Sequence, residues 1–150
     1  MSTHQQLLYH VVFSTKNRQG YLSREDFRNK VFAYMAGTSS ELGGFAIKVG
    51  GYVDHVHLLL RIPAKIDVSS FVGKLKANTS KHLNDTSGVI AKFGWQDGFG
   101  VFTVSVSQKD RVYSYIENQV EHHQKRTFED EYLDLLSKHE IAYDPRYVFD

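Results

Sequence analysis

Two short segments hold residues whose types and spacing can do chemistry. The first is Asp54-His55-Val56-His57-Leu58-Leu59-Leu60. On a strand, residues i and i+2 point to the same face. His55 and His57 would then project together, while Val56, Leu58 and Leu60 turn the other way. Two imidazoles fixed side by side make half of a metal site, and a third ligand has to come from elsewhere. The plainer alternative is a pair of solvent-facing strand histidines. The second segment is Tyr113-Ser114-Tyr115-Ile116-Glu117-Asn118-Gln119-Val120-Glu121-His122-His123. On a helix, Tyr115 and Gln119 are i,i+4 neighbours on one face, with His122 a step further along it. Val112, Ile116 and Val120 form an adjacent apolar stripe that would dock the helix. Tyr113 would point roughly 200° around the helix from Tyr115 and would not serve the same face.

Together the two segments suit phosphodiester cleavage by a tyrosine. A divalent metal relieves charge on the non-bridging oxygens and on the leaving 3′ oxygen. A tyrosine nucleophile gives a covalent intermediate, here a 5′-phosphotyrosine with a free 3′-hydroxyl. That bond conserves the energy needed for rejoining, so no ATP is required. The sequence accordingly has no Gly-Lys-Ser/Thr phosphate loop. Imidazole ligands alone lean towards transition metals, so these residues do not choose the ion.

The elements that must position these residues follow from hydrophobic period and punctuation. Residues 7–13 read as a first strand, closed by the polar turn 15–20. Ser23 caps a helix whose apolar period, Phe27, Val31, Tyr34 and Met35, runs to Leu42 and the Gly43-Gly44 stop. Residues 45–49 form a second strand, Gly50-Gly51 a turn or bulge, and 53–62 a third strand ended by Pro63. Asp67 caps a long helix with Phe71, Leu75, Thr79 and Leu83 inward. A loop is expected at 84–88. An aromatic, Gly-rich stretch from Lys92, with room for a short extra strand, leads to a fourth strand at 101–106. Ser107 caps a helix to about Lys125 and Thr127 another to about His139, with no clear element after Ile141. The order β-α-β-β-α-β-α-α predicts an α+β domain with helices covering one face of an antiparallel-rich sheet.

Composition sets the outer limits. The chain has 150 residues, which suits one domain spanning 1–150. It has no cysteine, which excludes disulfides, thiolate metal sites and a Cys nucleophile. Net charge is +1, so any nucleic-acid site must be a local basic patch. The first residues lack the basic and apolar regions of a signal peptide, and no apolar run is long enough for a membrane span. A cytoplasmic protein is expected.

The ordered set of motifs resembles transposases of the IS200/IS605 type, single-tyrosine (Y1) members of the HUH (His-hydrophobic-His) nuclease superfamily. The resemblance rests on Tyr9-His10-Val-Val-Phe-Ser-Thr-Lys16, Asp54-His55-Val-His57-Leu58, Gly94-Trp95-Gln-Asp-Gly-Phe-Gly100, and Tyr115-Ile-Glu-Asn-Gln119 with His122-His123. Thr127-Phe-Glu-Asp-Glu-Tyr-Leu133 and Tyr143-Asp-Pro-Arg-Tyr147 extend it over nearly the whole chain. It implies a ferredoxin-like/RRM-like antiparallel sheet with helices packed on it and a C-terminal tyrosine-bearing helix. It also implies His55, His57 and Gln119 as metal ligands, Tyr115 as nucleophile, and Mg²⁺ or Mn²⁺ as cofactor. The implied substrate is single-stranded DNA with hairpins at the ends of a mobile element. The implied assembly is a homodimer in which the tyrosine helix of one subunit completes its partner's site.

DNA contacts are expected from Lys16 and Arg18 after the first strand, from Lys74, Lys76 and Lys81 on the second helix, and from Lys109 and Arg111 at the start of the tyrosine helix. Trp95 and Phe99 are candidates for stacking on unpaired bases, with a core role as the alternative for both, and for Trp95 a core or dimer contact is the favoured one. Asp97 and Glu121 are further candidate neighbours of the metal. Three rival readings share these features: a domesticated relative that processes hairpin repeats, a non-catalytic single-strand-binding domain, and a structural metal protein. A binding domain requires neither the histidine pair nor Tyr115, and a closed zinc site usually wants four Cys or His ligands.

Overall fold

The computed structural model describes residues 2–86 and 92–150. Its strands are β1 (Leu8–Ser14), β2 (Phe45–Tyr52), β3 (His55–Arg61) and β4 (Gly100–Val104). Its helices are α1 (Glu25–Glu41), α2 (Val68–Thr86), α3 (Lys109–Glu117), α4 (Gln119–His123) and α5 (Phe128–Lys138). The sheet order is β2-β3-β1-β4, with every neighbouring pair antiparallel. This is the expected βαββαβ ferredoxin-like plan followed by a helical extension.

Strand alternation divides the sheet into two unlike faces. Val11, Phe13, Val56, Leu58 and Leu60 point to one side and pack with Val31 and Met35 of α1 and Phe71 and Leu75 of α2. Val12 and Phe102 point to the other, against Phe128, Tyr132, Leu135 and Leu136 of α5. Helices therefore cover both faces, not one. The reason lies in α5, whose own apolar stripe needs a surface to bury and finds it on the second face.

Several boundaries differ from expectation for local physical reasons. Gly50-Gly51 is no turn: both lie inside β2, and the reversal falls at Val53-Asp54. A Cβ on Gly50 would lie 2.6 Å from the Ile116 carbonyl oxygen, so the glycine lets α3 rest on the strand's main chain. The helix expected to run from Ser107 is broken at Asn118 (φ −93°, ψ 19°) into α3 and α4. Beyond the break Gln119 is buried, whereas Val120, expected on the docking stripe with buried Ile116, is 38% exposed. β4 stops at Val104. Ser23 does not cap α1; its hydroxyl donates to the Gly20 carbonyl. The Thr127 cap is present, with its hydroxyl accepting from the Asp130 amide, and Asp67 accepts from Ser70 at the start of α2. α2 extends through Thr86, so the first part of the expected 84–88 loop is helical and the rest lies outside the described residues. In place of an extra strand there is one isolated bridge, Thr15 to Trp95.

Candidate metal and tyrosine site

β3 presents His55 and His57 on the α5 side of the sheet, and both are fully buried. β1 adds His10, whose Nε2 shares a 2.8 Å hydrogen bond with Nδ1 of His57. From above, α4 lowers Gln119 and α5 lowers Glu131, 1% and 0% exposed. Glu131 is the hub of the site. Its Oε1 accepts from His57 Nε2 at 3.0 Å and His123 Nε2 at 2.9 Å, and lies 3.5 Å from His55 Nε2. Its Oε2 accepts from Gln119 Nε2 at 2.9 Å and from the Tyr115 hydroxyl. The nucleophile candidate and the histidine pair therefore meet within one chain, through a carboxylate that the motif reading did not include.

The donor set fits a cation. His55 Nδ1 donates to Asp54 Oδ1 at 2.9 Å, the outer carboxylate contact that orients metal-binding imidazoles. In the neutral ring this leaves a lone pair on Nε2, which faces Gln119 Oε1 at 2.8 Å. Two acceptors that close repel unless a proton or a metal ion lies between them. One ligand atom each from His55, His57 and Glu131 also lies within 4.8 Å of the others, close enough for all three to hold one ion. Gln119, the ligand implied by resemblance, stands beside this trio. Asp97 and Glu121 do not join it.

Burial and charge act on these groups together. Burial lowers the pKa of His57 to about 4, against the pull of Glu131, so the ring is neutral at pH 7. His10 is lowered in the same way by burial and by His57. Burial opposes the Glu131 charge, but His57, with the hydrogen bonds from His123 and His57, holds the carboxyl below its usual range. Burial and then the Glu131 carboxylate raise the Tyr115 hydroxyl above its usual value. Arg126 Nη2 reaches the same hydroxyl at 3.4 Å and works the other way. The Tyr115 hydroxyl thus keeps its proton, with the Glu131 carboxylate as its acceptor.

The other expected residues separate by face. Tyr113 turns away and carries Lys48 over its ring, 5.1 Å from the centroid. Arg111 is exposed at the edge of a cavity that Tyr115 also lines, and Lys109 begins the same helix. Lys16 is exposed, and Arg18 leans on Phe149 and pairs with Glu129 at 3.5 Å. Lys74 and Lys81 are exposed on α2, across the sheet from the histidines. Two expected contacts are corrected. Lys76 is buried, and its ammonium donates to the carbonyls of Gln96, Asp97 and Gly98. That ties α2 to the segment before β4 and leaves no free charge for phosphate. Trp95 is buried edge-on against Phe13 and Phe93, which is the core alternative, so it offers no open platform for a base.

Comparison with known proteins gives the family and the fold. A model of the family "Transposase IS200 like" matches residues 3–119, which contain His55, His57, Tyr115 and Gln119. The transposase for insertion sequence element IS200 of Salmonella typhimurium is 32% identical over 119 residues, covering 75% of this chain and 76% of that protein. The same values hold for that of Salmonella typhi. Among solved structures, a transposase of Deinococcus radiodurans described as putative superposes with a TM-score of 0.65 at 22% identity, over 79% of this chain and 95% of that one. A tyrosine transposase bound to a REP hairpin gives 0.60 at 14% identity, over 82% and 74%. These two establish the shared fold; the family match and the Salmonella relatives establish that this chain belongs to the IS200-like transposases.

Proposed function

We propose that the protein cleaves and rejoins single-stranded DNA at hairpin-bearing element ends, with Tyr115 as nucleophile. The observation that carries this is the contact of the Tyr115 hydroxyl with Glu131, the carboxylate that also engages His57. His55, His57 and Glu131, with Gln119 beside them, would hold a divalent ion, Mg²⁺ or Mn²⁺ by resemblance. Such an ion supplies charge relief for the phosphate and for the leaving 3′ oxygen. Glu131 orients the Tyr115 hydroxyl through the hydrogen bond that already exists. The phenolic oxygen bonds to phosphorus as its proton passes to solvent, the bond to the 3′ oxygen breaks, and that oxygen takes up a proton to leave a free 3′-hydroxyl. His10 and Asp54 hold the two imidazoles in fixed orientation. Arg18 and Arg111, which line the hollows on either side of the site, would be phosphate contacts, with Lys16 and Lys109 close to them in the chain. Lys74 and Lys81 would meet only a part of the hairpin that reaches around the sheet. The hairpin itself is motivated by the REP-bound relative of the same fold.

The test is incubation of the protein with single-stranded DNA carrying the element's flanking hairpins and Mg²⁺ or Mn²⁺. A covalent protein–DNA adduct should form, persist in Tyr113→Phe and vanish in Tyr115→Phe. An adduct that survives Tyr115→Phe, or cleavage that survives His55→Ala with His57→Ala, overturns the assignment. We also propose a homodimer with shared sites, motivated by the family resemblance. Mixing Tyr115→Phe chains with His57→Ala chains should then restore activity. No restoration means that each chain uses the site it assembles alone.

A further inference from the structure

A cavity of about 300 Å³ opens beside Tyr115, on the side away from Asp54 and His123. Its walls are α3, α5 and the end of β4. Val112 and Leu135 give it an apolar lining. Phe102 and His139 are stacked at its edge, with centroids 4.3 Å apart and planes 25° from parallel. Arg111 and Lys138 supply positive charge, and no carboxylate lines it. Arg111 has no ion-pair partner among the described residues, and Lys138 pairs only with exposed Asp134 at 2.9 Å, an exchange that costs little in water. The wider hollow on the other side of the site, about 640 Å³, mixes its cations with Asp54 and Glu129. The smaller cavity is therefore the better match for an anion that carries a flat aromatic group. Its volume suits a single small ligand and not a duplex end.

We propose that this cavity holds one unpaired nucleoside of the cleaved strand, the one whose 5′-phosphate Tyr115 attacks. The proposal rests on Tyr115 being the nucleophile. Attack on phosphorus leaves that nucleoside bonded to the tyrosine, so its base must lie within one nucleotide of the ring, and this cavity shares the ring as a wall. Base–aromatic stacking supplies affinity without demanding one base, and the cations hold the next phosphate. Thr103, Ser105 and Gln108, at the mouth, are placed to hydrogen-bond the base edge and bias the choice.

The probes are the four deoxynucleoside 5′-monophosphates and deoxyribose 5-phosphate, titrated into ¹⁵N-labelled protein at millimolar concentration. The nucleotides should shift the amides of Phe102, Val112 and His139. Deoxyribose 5-phosphate should bind about tenfold more weakly, the share expected of one stacked base. Arg111→Gln, an exposed change that leaves the core intact, should weaken a deoxynucleoside 3′,5′-bisphosphate severalfold, and His139→Ala should weaken all of the nucleotides. Equal binding of nucleotide and base-free sugar phosphate, or shifts confined to residues outside this cavity, overturns the proposal. The catalytic reading is separable. Nucleotide binding here with no Tyr115 adduct on hairpin DNA removes the nucleophile but leaves the pocket. An adduct with no nucleotide response here removes the pocket but leaves the nucleophile.

Discussion

The two faces of the sheet are made by the same strands and do opposite work. On β3, Val56, Leu58 and Leu60 meet α1 and α2 in an apolar layer. One residue out of step, His55 and His57 meet Gln119, His123 and Glu131 in a layer of hydrogen-bonded polar groups. Both layers are equally dry, since all of β3 except Arg61 is buried. The contrast teaches where stability and chemistry can be kept apart. The first face gains free energy from area removed from water. The second uses burial to neutralise imidazoles and to hold a carboxylate in place, which yields a fixed polar cluster and little net stability.

The comparison breaks most visibly if the apolar face can be damaged without unfolding. Leu58→Ala should cost about 2–5 kcal/mol in urea unfolding, with metal affinity unchanged in whatever fraction stays folded. A loss below about 1 kcal/mol would remove the division of labour. On the polar face, Glu131→Gln keeps the shape and removes the charge. Titration calorimetry with Mn²⁺ should show affinity reduced by at least about 10–100-fold, the range for a supporting residue. Unchanged affinity would demote Glu131 from ligand to spacer. Lys76→Met tests a polar group that serves the apolar side. It leaves the three carbonyls of Gln96, Asp97 and Gly98 without their donor and should cost about 1–3 kcal/mol, with no effect on Mn²⁺ binding.

The smallest expected effect is one of pH. His57 is lowered from 6.5 to about 4, so between those values the unfolded chain binds a proton that the folded chain does not. Stability is then complete above pH 6.5 and falls as pH drops towards 4. Glu131, lowered from 4.5, adds loss in the same direction at the acid end. Metal-free protein should melt at a lower temperature at pH 5 than at pH 7, and His57→Asn should flatten that slope while Leu58→Ala keeps it. A melting temperature that rises on acidification would contradict the neutral buried imidazole.

Much of this was readable in the residues. The period of two on 55–60 separates histidines from aliphatics without any structure, and the strand and helix order leads to the observed sheet. Gln119 and Tyr115 were paired by helical spacing and do meet at Glu131, although Asn118 breaks the helix between them. Nothing punctuates that break: no Gly or Pro lies between Tyr115 and Gln119. Glu131 escaped because acidic residues at a helix start read as exposed and dipole-favoured. Its signal lay in the stripe Phe128, Tyr132, Leu135 and Leu136, since position 131 falls on that same face. A charge in the middle of an apolar stripe has to be paired, and the histidines were the available partners. His10 carried the same kind of signal, between Leu8 and Val12 on β1. Lys76 reads by type as a free surface charge, because its carbonyl partners lie in a segment whose fold composition does not reveal, whereas the core role favoured for Trp95 is the one it takes.

Gly50 carries a consequence for how the reaction tolerates change. It lies opposite His57 in register, and α3 approaches it through the Ile116 carbonyl. The height of the tyrosine helix above the metal-binding strand is therefore set by main chain against main chain, with no rotamer to absorb an error. A single added methyl at position 50 acts as a shim: it lifts Tyr115 from His57 while leaving both of those side chains in the sequence. Gly50→Ala is therefore expected to weaken any reaction that needs Tyr115 beside His57, although neither of those residues is changed.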